Sequence, residues 1–304
     1  MDNRWRGIFT ILLTPFNEDR SLDEQSLRRQ VDFVVAAGAH GIVSPVNTSE
    51  FSLLTDEERR RLAEIVVEQA GGRVPVVIGT AAPSTGTAVA LTRHARAIGA
   101  AGVIAMPPYV IPLGPDGVRD YYARVAEAAG GLPVVLQNVG GQVGVPLRAE
   151  TIMRLADEIP AIRYVKEETL PSTHRISELL AVAGGRLDGV FGGSGGRCLL
   201  EELQRGACGL MSGCHLVDAQ VKVYDLLQAG DVAGARAAFV RQLPVQTIWG
   251  HLGIGVAKEV LKRRGVFSTT TSRQPSHAMD SFDHAELDQA LALVKDDLLA
   301  EVLA

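Results

Sequence analysis

The sequence predicts a (β/α)8 TIM barrel with a C-terminal helical extension. Three observations lead there. Eight short apolar runs recur, their starts separated by 33, 34, 27, 32, 28, 25 and 21 residues. That spacing suits a strand, a loop, a helix and a return, and amphipathic helical segments fill the intervals. No Gly-x-Gly-x-x-Gly follows the first run, which counts against an open dinucleotide-binding sheet and leaves closure of eight units into a barrel.

The predicted strands are Gly7–Leu13, His40–Ser44, Val74–Gly79, Ala101–Met106, Pro133–Asn138, Ala161–Lys166, Arg186–Phe191 and Ala207–Ser212. Ser21-Leu-Asp-Glu24 and Thr55-Asp-Glu-Glu58 read as capping boxes, in which a hydroxyl and a carboxylate satisfy free amides at a helix start. Pro146 and Pro171 suit first helical turns, where a missing N–H costs nothing. Gly38, Gly99 and Gly206 end helices just before strands. From Val217 to Ala304 the pattern is helical: an eighth barrel helix, then about three more. No linker or low-complexity segment intervenes. Residues 1–228 are therefore expected to form the barrel and 229–304 an extension packed on it.

Composition narrows the partners. A net charge of −5 and a pI near 5.8 argue against a nucleic-acid or anionic-membrane partner. Cys198, Cys208 and Cys214 form no Cys-x-x-Cys pair and have no matching His pattern. Reduced thiols, a cytoplasmic location and no metal site are expected. No apolar run reaches the roughly 18–20 residues of a membrane span. Thr14-Pro15 cuts short the run near the N-terminus, which reads as a strand and not a signal peptide.

Among five lysines, Lys166 is the only one before residue 222. Arg keeps its proton near neutral pH, whereas a desolvated Lys can lose it. A Lys ending a buried strand is thus an amine nucleophile or a solvated strand-end charge. The barrel favours the first reading, because the C-terminal strand ends share one rim. Thr14, Asn47-Thr48-Ser49, Tyr109, Gln137-Asn138 and Gly192-Gly193-Ser194 are expected on that rim beside it. The glycine run Phe191–Arg197 offers backbone N–H groups to a substrate, or is a tight turn that needs glycine. Trp5 and Trp249 read as packing residues, and His215 as a hydrogen-bonded loop residue.

These residues carry a resemblance. Gly7-Ile-Phe…Leu13-Thr14-Pro15-Phe16, Asn47-Thr48-Ser49-Glu50, Pro107-Pro108-Tyr109, Val165-Lys166-Glu167-Glu168-Thr169 and Gly206-Ala-Cys-Gly209…Ser212-Gly213 occur in order along the chain. Together they resemble the dihydrodipicolinate synthase/N-acetylneuraminate lyase family of class I aldolases. The resemblance implies a Schiff base between Lys166 and a small 2-keto acid. It implies a substrate carboxylate held at Asn47 and Thr48, with Ser49 beside them, and a homotetramer or homodimer. It implies no cofactor.

Two departures matter. The family's strand-five Tyr, which relays protons, is replaced by Gln137, and the synthases' Arg five residues on is replaced by Gln142. A dicarboxylic product therefore loses a charge partner. The sequence is more similar to the 2-keto-3-deoxy-L-arabonate dehydratase branch, which shares the Gln, an Asn-x-Ser-Glu loop, a Lys-x-Glu-Thr stretch and a segment like Gly253–Leu261. Dehydration of a 2-keto-3-deoxy sugar acid is the expected reaction. The alternatives are a pyruvate-dependent or dihydrodipicolinate-synthase-like aldolase and a non-catalytic keto-acid-binding barrel.

Either reaction needs a neutral amine and a proton shuttle beside the imine. Gln137 does not titrate. It is left to orient water or a substrate hydroxyl, while Tyr109, a hydroxyl, a carboxylate or the substrate itself carries protons. Strand alternation turns Glu167 away from Lys166 and leaves the place of Glu168 open.

Overall fold

The computed structural model describes residues 4–140 and 145–299. Eight parallel strands close into a barrel in chain order, with β8 pairing back onto β1. They are β1 (Gly7–Ile11), β2 (Gly41–Ser44), β3 (Val76–Gly79), β4 (Gly102–Ala105), β5 (Val134–Asn138), β6 (Ile162–Glu167), β7 (Gly189–Gly192) and β8 (Gly209–Leu210). Between them lie α1 (Glu24–Ala36), α2 (Asp56–Ala70), α3 (Thr85–Ala97), α4 (Pro115–Ala129), α5 (Ala149–Glu158), α6 (Ser172–Ala183) and α7 (Leu199–Gln204). All eight predicted strands are present, with shorter ends except at β6 and β7, which each run one residue further.

Strand alternation sorts the core into two layers. Phe9, Ile11, Val43, Val77, Ile104, Val135, Tyr164 and Phe191 fill the barrel interior. Ile8, Ile42, Ile78, Val103, Leu136, Val165 and Val190 pack outward with helix residues such as Leu62, Tyr122 and Ile176. Trp5 stacks on Tyr164 with ring centres 4.7 Å apart, and so is the packing residue expected of it.

The local signals are corrected in two places. Helix α1 is capped by Asp23, which accepts from the Ser26 amide, and not by Ser21. Ser21 instead bonds Asp19 and Asn17 in the preceding turn. Pro146 lies ahead of α5, whose cap is Arg148, and Pro171 is itself the extended cap residue of α6, while Pro115 occupies the first turn of α4. The Thr55–Glu58 box forms as expected, and Gly38, Gly99 and Gly206 take positive φ just past helix ends.

Four helices follow β8: α8 (Val217–Gln228), α9 (Val232–Leu252), α10 (Ile254–Arg263) and α11 (Ser281–Val294). Leu216, Val245, Val256, Val260 and Leu287 form a shared apolar cluster among them. Among the described residues no helix is long and apolar enough to cross a membrane.

At the rim, a Cβ on Gly79 would lie 1.8 Å from the Pro45 carbonyl oxygen, so β3 ends in glycine because the loop leaving β2 passes over it. Gly79→Ala is expected to lower unfolding stability by about 1–3 kcal/mol, read from the midpoint of urea denaturation.

Candidate active site

Lys166 lies at the C-terminal end of β6, two residues past the inward-facing Tyr164, and is 2% exposed. Strand register sets Gln137 of β5 and Phe191 of β7 beside it. The next inward position is Glu168. Its Oε2 lies 2.8 Å from Lys166 Nζ and accepts a hydrogen bond from Gln137 Nε2 at 2.8 Å. Its Oε1 accepts from the Ser194 amide at 3.1 Å. One carboxylate therefore joins the amine, the residue that replaces the strand-five Tyr, and the β7 loop.

Glu167 points to the other side, as alternation requires. It accepts from Asn138 Nδ2 at 2.7 Å, from the Thr169 amide at 2.8 Å and from the Thr169 hydroxyl. Burial raises its pKa against those hydrogen bonds. Asn138 in turn holds both the amide and the carbonyl of Leu147, which fixes the chain entering α5.

Gly192 and Gly193 make room for carboxylates. A Cβ on Gly193 would lie 2.6 Å from Glu168 Cγ, and one on Gly192 would lie 1.9 Å from Glu202 Oε2. The following residues Ser194, Gly195 and Gly196 all take positive φ, so the run is a tight turn as well. Glu202 reaches in from α7, is buried, and accepts from the Ser172 hydroxyl at 2.6 Å. Burial, with the nearby charge of Glu168 added and the Ser172 bond opposing, pushes it up to about 7.

The strand-two loop forms another part of the rim. Asn47 and Thr48 are half-buried in a tight turn after β2, and the Thr48 methyl lies beside Gly213 of the β8 loop. Ser49 is fully buried. Its hydroxyl donates to the Leu12 carbonyl at 2.5 Å and accepts from the Val46 amide at 3.1 Å, so both partners are within the rim's own backbone. Thr14 donates to the Ser49 carbonyl at 2.5 Å. Tyr109 packs edge-on against Phe51, in a cluster with Ala81, Met106 and Val139. Burial raises the Tyr109 pKa, and the Arg59 charge opposes this. Among the described residues no hydrogen bond joins Asn47, Thr48 or Tyr109 to Lys166.

His215 departs from expectation. It is buried against Trp249, and neither ring nitrogen has a hydrogen-bond partner among the described residues. Burial, reinforced by Arg264, lowers its pKa to about 3, so the ring is neutral packing. Gln142 lies outside the described residues. Among the described residues no group of three His, Cys, Asp or Glu is placed to hold a metal.

Sequence reasoning left Glu168 open and missed Glu202. The first had a signal: Lys-x-Glu on a strand puts both side chains on one face. The second stands at an apolar position of its helix, between Leu199 and Leu203.

With this geometry in view, comparison with known proteins is decisive at the level of family. Residues 4–294 match the dihydrodipicolinate synthetase family. The chain belongs to that family. It is 32% identical to an L-2-keto-3-deoxyarabonate dehydratase of Azospirillum brasilense over 93% of both chains. It is 40% identical to a 4-hydroxy-tetrahydrodipicolinate synthase of Geotalea daltonii over 62% of this chain and 63% of that one. Among solved structures, YagE, a prophage protein of E. coli K12 in complex with pyruvate, superposes with a TM-score of 0.89 at 26% identity, covering 96% of this chain and 99% of that one. This family member is accordingly an enzyme of the lyase class, and the non-catalytic barrel is set aside.

The Glu202 environment gives a signed pH effect. Its folded pKa lies above the ordinary value, so the folded chain holds an extra proton between about 4.5 and about 7. Stability from this group is greatest below that window and is lost as pH rises through it. Glu202→Gln should remove the loss. Relative to wild type, the variant is expected to gain roughly 1–3 kcal/mol between pH 5 and pH 8 in urea unfolding, at ~1.4 kcal/mol per pH unit.

Proposed function

We propose that this chain is a Schiff-base-forming lyase that dehydrates a 2-keto-3-deoxy sugar acid of the 2-keto-3-deoxy-L-arabonate type. The observation that carries the reading is the Lys166–Glu168 pair, a buried lysine against a half-buried carboxylate, with Gln137 on the same carboxylate oxygen. An amine nucleophile must first lose a proton, and Glu168 is within reach of it. Lys166 then attacks the C2 carbonyl of the keto acid, and Glu168 returns the proton as the C2 hydroxyl leaves as water. The protonated imine draws electrons from the C3–H bond, and Glu168 accepts that proton. The enamine electrons move back into a C3–C4 double bond, the C4–O bond breaks, and Glu168 protonates the departing hydroxyl. Loss of a C5 proton and protonation at C3 then turn the unsaturated imine into a C4–C5 enol, and its ketonisation with hydrolysis of the imine frees the semialdehyde.

In this reading Glu168 takes the acid–base role that Gln137 does not perform, and Gln137 orients the carboxylate. Asn47 and Thr48 hold the substrate carboxylate. Ser49 shapes their turn from below through its bonds to Leu12 and Val46. Gly193 admits Glu168, Gly192 admits Glu202, and Tyr109 lines the mouth. The dehydratase relative, matched over 93% of its length, supports the substrate class. A homotetramer or homodimer in the cytoplasm is the setting we infer.

The synthase relatives favour a second reading, aldol chemistry with pyruvate at the same amine. Products separate the two. Incubation with 2-keto-3-deoxy-L-arabonate is expected to yield a semialdehyde, and pyruvate plus an aldehyde would establish cleavage instead. Lys166→Ala should abolish turnover. Glu168→Gln should lower kcat by about 10²–10⁴-fold, and a loss under tenfold would remove Glu168 from the acid–base role.

A further inference from the structure

We propose that Lys258, on α10 in the C-terminal helices, is a positioning residue for the loop Asn47–Glu50. The inference deepens the reading above, because it takes that loop as the holder of the substrate carboxylate.

Glu50 ends the loop in a left-handed conformation, φ 56°, which side chains other than glycine rarely adopt. Such a conformation persists only where its surroundings over-determine it. Here they do. Glu50 is 2% exposed and both carboxylate oxygens are held. Oε1 accepts from Lys258 Nζ at 2.5 Å. Oε2 accepts from the backbone amides of Arg273 and Gln274, at 2.8 and 2.6 Å.

Lys258 is fully buried and reaches three places at once. Besides Glu50 it donates to the Thr271 carbonyl at 2.8 Å, and its charge lies 4.7 Å over the Phe16 ring. Phe16 follows β1, and Thr269 Oγ1 donates to its carbonyl at 2.6 Å. Arg273 also lies over that ring and pairs with Glu58 of α2 at 2.6 Å. The segment after α10 therefore ties the β1 and β2 loops together, with Lys258 at its centre.

A buried ammonium is a costly way to attach a helix, since apolar residues would pack as well. What the pair adds is direction. It fixes one backbone conformation at Glu50, one residue past Ser49 and two past Thr48, so the turn carrying Asn47 and Thr48 is held in one shape before substrate arrives.

The test uses the full chain in two variants. Lys258→Met removes the cation, and Glu50→Gln/Lys258→Met removes both charges and spares the fold an unpaired carboxylate. Hydrogen exchange of the peptide spanning residues 46–54 is expected to quicken by about tenfold or more, with the β6 peptide unchanged. Borohydride trapping with pyruvate should need about tenfold more pyruvate for half-maximal adduct, while the saturating trapping rate stays within about threefold. The proposal is overturned if the folded double variant exchanges and binds pyruvate like wild type. It is also overturned if only the saturating rate falls, or if neither variant folds. Wild type that traps no pyruvate would sink the Schiff-base reading, while hydrogen exchange would still decide the role of Lys258.

Discussion

The proposed active site depends on one ion pair in the barrel mouth, a buried lysine against a half-buried carboxylate. Lys166 near the end of β6 and Glu168 one residue past it face the same way, with their charged atoms 2.8 Å from each other. Away from water, each charge would be costly alone, and the pair is held by geometry that neither residue supplies. Gln137 shares Oε2 with the lysine, and the Ser194 amide donates to Oε1. Gly193 is glycine because the carboxylate lies where its side chain would be. In the proposed reaction, the lysine that gives up a proton and the carboxylate that receives it are thus fixed before substrate arrives.

The same pair explains why a Gln is tolerated on strand five. The proposed imine needs a titrating group beside it, which need not come from that strand. With Glu168 in reach, the neighbouring position is free to supply a hydrogen-bond donor, and an amide serves that purpose without competing for protons. Behind Glu168, Glu202 adds a second carboxylate, a buried one whose pKa is raised by its burial and by the Glu168 charge. On the opposite side, the strand-two loop owes its shape to backbone-directed bonds from Thr14 and Ser49 and to Lys258.

Much of this was legible in the sequence. Apolar runs with a steady period gave all eight strands, because parallel barrel strands are buried on both faces. Lys166 stood out by its rarity and by its place at a strand end. Glu168 was readable in principle from the period of two, provided that β6 is taken past its last apolar residue. Glu202 and Lys258 were harder for a single reason. Each charge stands in an apolar stripe, Leu199–Glu202–Leu203 in α7 and Ile254–Ala257–Lys258–Leu261 in α10. Such a charge looks like an interruption until a partner from elsewhere in the chain is seen against it. Ser49 shows the converse. Its place in the loop motif suggested a ligand, while its hydroxyl is engaged by Leu12 and Val46, partners that no spacing rule reveals. The Asp23 cap displaced Ser21 because two acceptor-bearing residues compete for one helix start, and local sequence does not rank them.

In the proposed reaction the Lys166 amine, and no other, is the nucleophile. The most direct test is peptide mapping after the wild-type protein is reduced with borohydride in the presence of pyruvate. The account predicts one reduced pyruvyl group per chain, on the peptide containing Lys166. An adduct on Lys258 or another lysine, or none at saturating pyruvate, would contradict it.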